Sequence, residues 1–325
     1  MDALIIELDR IKKSVSNKKW PCICDGCTEN SINSHLLQIN GILNNLCEPE
    51  DRHIIQMTLD NIFTSSKTQK LFRFEKRSIN KAMSLNLFCN KHDTKIFKPI
   101  ETNQINIDDY TSQLLFSYRS MCAEIRRKQV AIEYNDRVLS DRKCMKFINS
   151  DMYSFISAHI SGLKIGINDL RFYKSEFEKY LTNKVDKDFI FNIFEYNFLP
   201  ICTAATFSPI NENDINNNPF QEKPLNTVFI NLIPINKKLM VIIGYHKDFV
   251  NKWILDFIDS WNTKDNTSQQ INVSELIANR VESWAMSIKF FNSIDIEKKD
   301  KMLEHWESNM MSHDEDLYFG LNLFS

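Results

Sequence analysis

The chain has 325 residues, 43% of them hydrophobic, which is enough to bury a large core and to build two or three domains. A formal net charge of -2 excludes a protein that coats nucleic acid by bulk charge. No apolar run reaches membrane-spanning length, and neither G-x-G-x-x-G nor G-x-x-x-x-G-K occurs among only six glycines, so neither a transmembrane protein nor a glycine-loop nucleotide binder is expected. Residues 3–18 read as an amphipathic helix with Leu4, Ile5, Leu8 and Ile11 on one face, ended by Trp20-Pro21. The acids Glu7 and Asp9 within that apolar run argue against a signal peptide, so a cytoplasmic location is expected, where the eight cysteines are thiols or metal ligands.

The cysteine-rich segment Cys22-Ile23-Cys24-Asp25-Gly26-Cys27 comes next, then Ser34-His35 and an apolar helical pattern through Ile39, Ile42, Leu43 and Leu46. Residues 53–65 suit a strand or hairpin arm. The stretch 67–98 is basic: nine Lys and Arg residues face only Glu75 and Asp93, with Phe72, Phe74 and Phe88 between them. It reads either as a nucleic-acid surface, with cations for phosphate and rings for stacking, or as a solvated basic face over core phenylalanines. A boundary is expected near Pro99–Asn103.

A long helix follows from Asp108-Asp109, with its acids placed where the helix dipole prefers them and a stripe through Tyr110, Leu114, Tyr118, Met121, Ile125 and Ile132. Two more helices, near 144–162 and 167–182, complete a helical bundle in which His159 reads as a core histidine. Strands are expected at 189–194 and 199–207, then an Asn-rich loop over 211–218, then a hairpin of 227–234 with 238–245. Helices near 248–263, 273–290 and 297–312 close the pattern, and the apolar tail 317–324 should dock on the core or on a partner protein. The fold class is therefore α+β: a zinc-binding module (1–103), a helical region (104–185), and a C-terminal antiparallel sheet flanked by helices (186–325).

The chemistry concentrates at Cys89-Asn90-Lys91-His92. A Cys-x-x-His pair is half of a tetrahedral zinc site, and a cysteine knuckle is its usual complement. Cys27, Cys89 and His92 are the firmest ligands, and the fourth is Cys22, Cys24 or His35. Cys47, Cys122, Cys144 and Cys202 stand singly among apolar neighbours, as small core residues do. Glu101, Arg119 and Glu124 could form a buried network or occupy exposed helix positions.

The knuckle, Ser34-His35-Leu36-Leu37, and the run Leu85-Asn86-Leu87-Phe88-Cys89-Asn90-Lys91-His92-Asp93-Thr94-Lys95 together resemble the HNH-type treble-clef nucleases over residues 20–98. The resemblance implies His35 as general base, Asn86 as the motif asparagine, structural Zn²⁺ on Cys24 or Cys22, Cys27, Cys89 and His92, and a catalytic Mg²⁺ or Mn²⁺. The sequence departs from that family at Ser34, where an acid or histidine usually precedes the catalytic histidine, and in the long His35–Asn86 interval. Tyr118-Arg119-Ser120, the strand pair 227–245 and Val281-Glu282-Ser283-Trp284, expected in a late helix, resemble uncharacterised bacterial proteins of phage-defence and mobile-element genes. Two readings follow: a metal-dependent nuclease acting on DNA or RNA, or a non-catalytic zinc-stabilised protein that binds a protein or nucleic-acid partner.

Overall fold

The computed structural model describes residues 2–59, 71–102, 104–185, 187–210, 223–309, 312 and 314–325. Lys67 and Lys70 of the basic stretch, residues 60–65, and the Asn-rich loop lie outside the described residues. The strands are β1 (Asn33–His35), β2 (His53–Leu59), β3 (Phe72–Ser78), β4 (Ser84–Asn86), β5 (Phe189–Asn197), β6 (Ile201–Phe207), β7 (Val228–Ile235), β8 (Lys238–His246) and β9 (Trp284–Ser287). The α-helices among the described residues are α1 (Asp2–Ser16), α2 (Asn90–Phe97), α3 (Tyr110–Ser140), α4 (Ser150–Asn183), α5 (Lys252–Ser260), α6 (Asn266–Asn279), α7 (Ile288–Ser293) and α8 (Ile296–Asn309). None is long and apolar enough to cross a membrane.

Seven strands form one antiparallel sheet in the order β3-β2-β9-β6-β7-β8-β5, and β1 pairs separately with β4. The predicted hairpin of β7 and β8 closes at Asn236-Lys237, both at positive φ (53° and 60°), as a two-residue turn matched to strand twist requires. Side chains alternate along β7. Phe229 and Ile233 face Tyr118, Met121, Tyr173 and Phe177 of the paired helices α3 and α4. Val228, Ile230 and Leu232 face Ile254, Val273, Ile277 and Leu303 of the C-terminal helices. The sheet is thus covered on both faces, which explains its long runs of β-branched residues. The tail docks as expected, with Leu323 buried and Phe324 stacked on Phe290.

One close approach in the sheet is built on glycine. A Cβ at Gly244 would stand 2.5 Å from Phe191, its cross-strand partner, whose ring packs on Tyr110. Gly244→Val should therefore overpack the β5–β8 pair and lower stability by about 1–3 kcal/mol, read from chemical denaturation.

The structure corrects several expectations. The two helices near 144–162 and 167–182 are one continuous α4, with a separate 3-10 turn at Cys144–Lys146. Gly162 and Gly166 each cost only about 1 kcal/mol in a helix, and no proline interrupts the run. His159 is exposed, as are Tyr153 and Phe155, whereas Ile156 and Ile160 form the buried face of this end of α4. The middle of the chain is a helix pair laid on the sheet and not a separate bundle. The expected helix 273–290 is interrupted over 280–287, and Trp284 lies in strand β9. β9 pairs with both β2 and β6, so residues 53–59 and 72–78 hydrogen-bond into the same sheet as residues 189–246. Sheet hydrogen bonds thus cross the sequence divisions at 103 and 186.

Candidate metal centre

The ribbon of β1 and β4 sits between the cysteine loop and α2. Ile23 N–H donates to Leu87 O (2.9 Å) and Ile32 N–H to Phe88 O (2.7 Å), so the loop 20–32 lies along the end of β4. Within it, Gly26 takes a left-handed φ of 72°, and the Cys27 N–H donates to Cys24 O (3.1 Å), folding Cys27 back toward Cys22. Cys89 is the N-cap of α2, and His92 follows one helical turn later. Both therefore face the loop.

These elements bring Cys22, Cys27, Cys89 and His92 together, with their ligand atoms all within 4.8 Å of one another. Cys22 Sγ and Cys89 Sγ lie 3.4 and 3.3 Å from His92 Nδ1, and Cys27 Sγ lies 3.9 Å from Cys89 Sγ. Tetrahedral coordination with metal–sulfur bonds of about 2.3 Å and metal–nitrogen bonds of about 2.0–2.1 Å puts sulfurs about 3.8 Å apart and sulfur and nitrogen about 3.5 Å apart. The spacing fits a metal ion at the centre of the four side chains. The N–H groups of His92 and Lys91 hold the Cys89 thiol below its ordinary pKa, as a helix N-terminus does for a thiolate.

Cys24, the alternative knuckle cysteine, is outside this group: it is half-buried, and burial followed by the neighbouring Cys22 thiol pushes its pKa up. The longer Cys-x4-Cys spacing supplies the loop pair. His35 is also outside the group, with Nε2 3.1 Å from Ile79 O. Asn86 pairs with Asn33, and His35 pairs with Ser84, on the same partly exposed face of the ribbon. Phe72 and Phe88 are buried, and Phe74 packs on Trp284 and Phe291, so these rings belong to the cores and not to a stacking surface.

Residues beyond the motif hold the centre in place. Arg126 on α3 donates to Pro21 O (2.6 Å) and lies over the Trp20 ring. Lys174, buried on α4, bridges Asp25 (3.0 Å) and Glu178 (2.8 Å), and Glu178 also accepts from Tyr118 Oη (2.6 Å). Arg119 is 2% exposed, pairs with Glu101 at 2.6 Å, lies 4.0 Å from Asp93, and stacks 3.9 Å above Phe97. Of the polar trio flagged in the sequence, Glu101 and Arg119 pair, whereas Glu124 binds Arg127 and Lys128 instead. The one signal for the Arg119 support was a charged residue inside an apolar stripe. Nothing in the sequence marked Lys174, which is 149 residues from Asp25 along the chain.

No family model, curated protein or solved structure matches this chain. Its functional reading rests on the site.

A second group, Glu176, Asp188 and His246, also gathers its polar atoms within 4.8 Å. Its carboxylates already pair with Lys179 and Lys247 at 2.6 Å each. His246 Nδ1 accepts the Asp248 N–H (3.2 Å), which places the proton of the neutral ring on Nε2. That arrangement is a hydrogen-bonded ion network at the end of the sheet.

Proposed function

We propose that this protein is a nuclease built on a zinc-stabilised, treble-clef-like module, with Zn²⁺ on Cys22, Cys27, Cys89 and His92. Three thiolates and one imidazole suit zinc better than oxygen-preferring Mg²⁺ or Ca²⁺. A closed set of four protein ligands makes the zinc structural.

The observation that carries the reading is the state of His35. Ile79 O can only accept, so the neutral ring holds its proton on Nε2 and keeps the lone pair on Nδ1. Burial holds the His35 pKa below its ordinary value, which keeps the ring neutral near pH 7. A neutral imidazole on a partly exposed ribbon face can act as a general base. In the proposed reaction His35 Nδ1 takes a proton from water, the hydroxide attacks a phosphodiester phosphorus, and the leaving oxygen departs with a solvent proton. Asn86, on the same face, orients the ribbon or the substrate. Among the described residues no group of three metal-binding side chains includes His35, so no step is assigned to a second ion.

The test is cleavage of plasmid DNA and of RNA by the purified protein with Mg²⁺ or Mn²⁺ supplied. His35→Ala should lower turnover by about 10²–10⁴-fold, the contribution of a positioned base. The kcat/KM profile should rise with pH along a limb whose pKa is below about 6.5, then level off, because protonation removes the base and burial disfavours protonation. Intact plasmid and RNA under both metals would end the proposal.

One observation favours a non-catalytic binding protein instead. Asp93, the nearby acid that could hold a second, catalytic ion, faces the Arg119 guanidinium at 4.0 Å. On that reading His35→Ala leaves cellular function unchanged, whereas Cys89→Ala abolishes it.

A further inference from the structure

We infer that a cavity beside the ribbon is a phosphate-binding pocket. The inference deepens the nuclease reading by naming where the substrate's phosphate is held, and it rests on that reading only for what the phosphate is attached to. The cavity, of about 170 Å³, lies where the ribbon, the β2–β3 hairpin, α3 and the segment before β9 meet. Arg77, Lys81, Arg127, Ser84, Ser283 and Glu282 contribute its polar wall. Three cations and one carboxylate line this wall, and Glu75 and Glu124, the partners of Arg77 and Arg127, are not part of the lining.

Each cation comes from a different element. Arg77 is on β3, Lys81 is in the turn before β4, and Arg127 is on α3. Convergence of cations from three elements is not the even spacing of a solvated charged face. Arg127 is held in place: its Nη2 donates to Ser283 Oγ (2.7 Å) and its Nη1 to Glu124 (3.2 Å). Arg77 pairs along its own strand with Glu75 at 2.8 Å, and both side chains are well exposed. Such a pair is worth about 0–1 kcal/mol and exchanges readily for a doubly hydrogen-bonded phosphate. Lys81 is exposed and has no ion pair among the described residues. The exchangeable Arg77 fork and the Lys81 ammonium suit a phosphate ester, and Arg127, held by Ser283 and Glu124, adds a fixed positive charge behind them.

Position ties the pocket to the candidate base. Ser84 lines it, and Ser84 is the residue directly opposite His35 in the ribbon. The volume is below the roughly 300–1,000 Å³ of sites that enclose a whole small molecule. The pocket therefore takes a phosphate group and the atoms attached to it, with the remainder of the ligand outside.

The test measures anisotropy of a fluorescein-labelled thymidine oligonucleotide on the full chain carrying His35→Ala, so that turnover does not interfere. The double variant Arg77→Gln, Lys81→Gln should weaken binding at least about 10-fold and make the log–log salt dependence shallower by about 1.4, roughly 0.7 per cation removed for a single strand. Its melting temperature should match that of the parent, because both side chains are at the surface. Inorganic phosphate and AMP serve as competitors. Displacement by either identifies a site for free phosphate esters, and resistance to both identifies a site for the nucleic-acid backbone; each outcome keeps the pocket. Unchanged affinity and salt slope in the double variant, or no binding of any probe, overturns it. Binding without cleavage rejects the nuclease proposal and keeps the pocket. Cleavage unaffected by the double substitution rejects the pocket alone.

Discussion

Cys89→Ala should leave the chain unable to hold a metal ion at the four-residue cluster and loosen the cysteine loop, the β1–β4 ribbon and α2. Cys89 is 5% exposed and touches both His92 and Cys27. Removing its sulfur leaves three ligands, an incomplete shell for a structural zinc. Structural zinc contributes about 10–16 kcal/mol to the folding of small zinc domains. Here the surrounding cores retain part of the structure, so the loss is smaller, and a fall of about 10 °C or more in melting temperature is expected at about 2–4 °C per kcal/mol. Elemental analysis reads the metal, and amide hydrogen exchange over 20–36 and 84–98 reads the module. Cys24→Ala is the matched control and should keep the ion, since Cys24 is outside the group of four. Full metal content in Cys89→Ala, or loss of the ion in Cys24→Ala, contradicts the ligand assignment.

Arg119→Ala should be the most damaging single change outside the metal ligands. The guanidinium is almost completely buried, and its Nε has no hydrogen-bond partner among the described residues. It joins α3 to the module through Glu101, Asp93 and the Phe97 ring. Breaking a buried pair from one side costs about 3–5 kcal/mol, because the remaining charge stays behind without its partner. The Glu101 side chain is 38% exposed and recovers some of that from water, so about 2–4 kcal/mol is expected. Arg119→Lys should recover little, since an ammonium cannot stack and bridge as the planar fork does. Thermal unfolding with metal content followed in parallel decides the case: Arg119→Ala should lower stability while keeping the ion. An unchanged melting temperature would show that the pair contributes nothing.

Local signals carried far in this chain. The apolar spacing of α1, the acidic start of α3, where Asp109 caps Ser112 N–H at 3.1 Å, and the Asn236-Lys237 turn all act over a few residues. Ligand chemistry was equally local at Cys89 and His92, which share one helical turn. Elsewhere local pattern misled. Trp284 sits among residues with helical spacing, but it pairs with Thr203 of β6, and the rest of its strand, Ala285–Ser287, pairs with β2 as well. The two helices expected at 144–162 and 167–182 are one, and α4 packs along α3.

The choice between Cys22 and Cys24 shows the same division. Both spacings can close a metal loop, so the sequence left them equal. The turn at Gly26 and the bond from Ile23 to Leu87 decided for Cys22.

By itself, then, the sequence determined which residues could bind a metal, which segments are helix or strand when their period is unbroken, and that the chain buries a large mixed core. Only the tertiary structure decided that the β2–β3 hairpin, inserted between His35 and Asn86, belongs to the main sheet. It also decided that Arg77, Lys81 and Arg127 meet in one cavity beside His35. The reason is physical: periodicity and ligand spacing act within a helical turn or a strand, whereas strand partners and converging charges are chosen by contacts across 50 to 230 residues of chain, which no local pattern encodes.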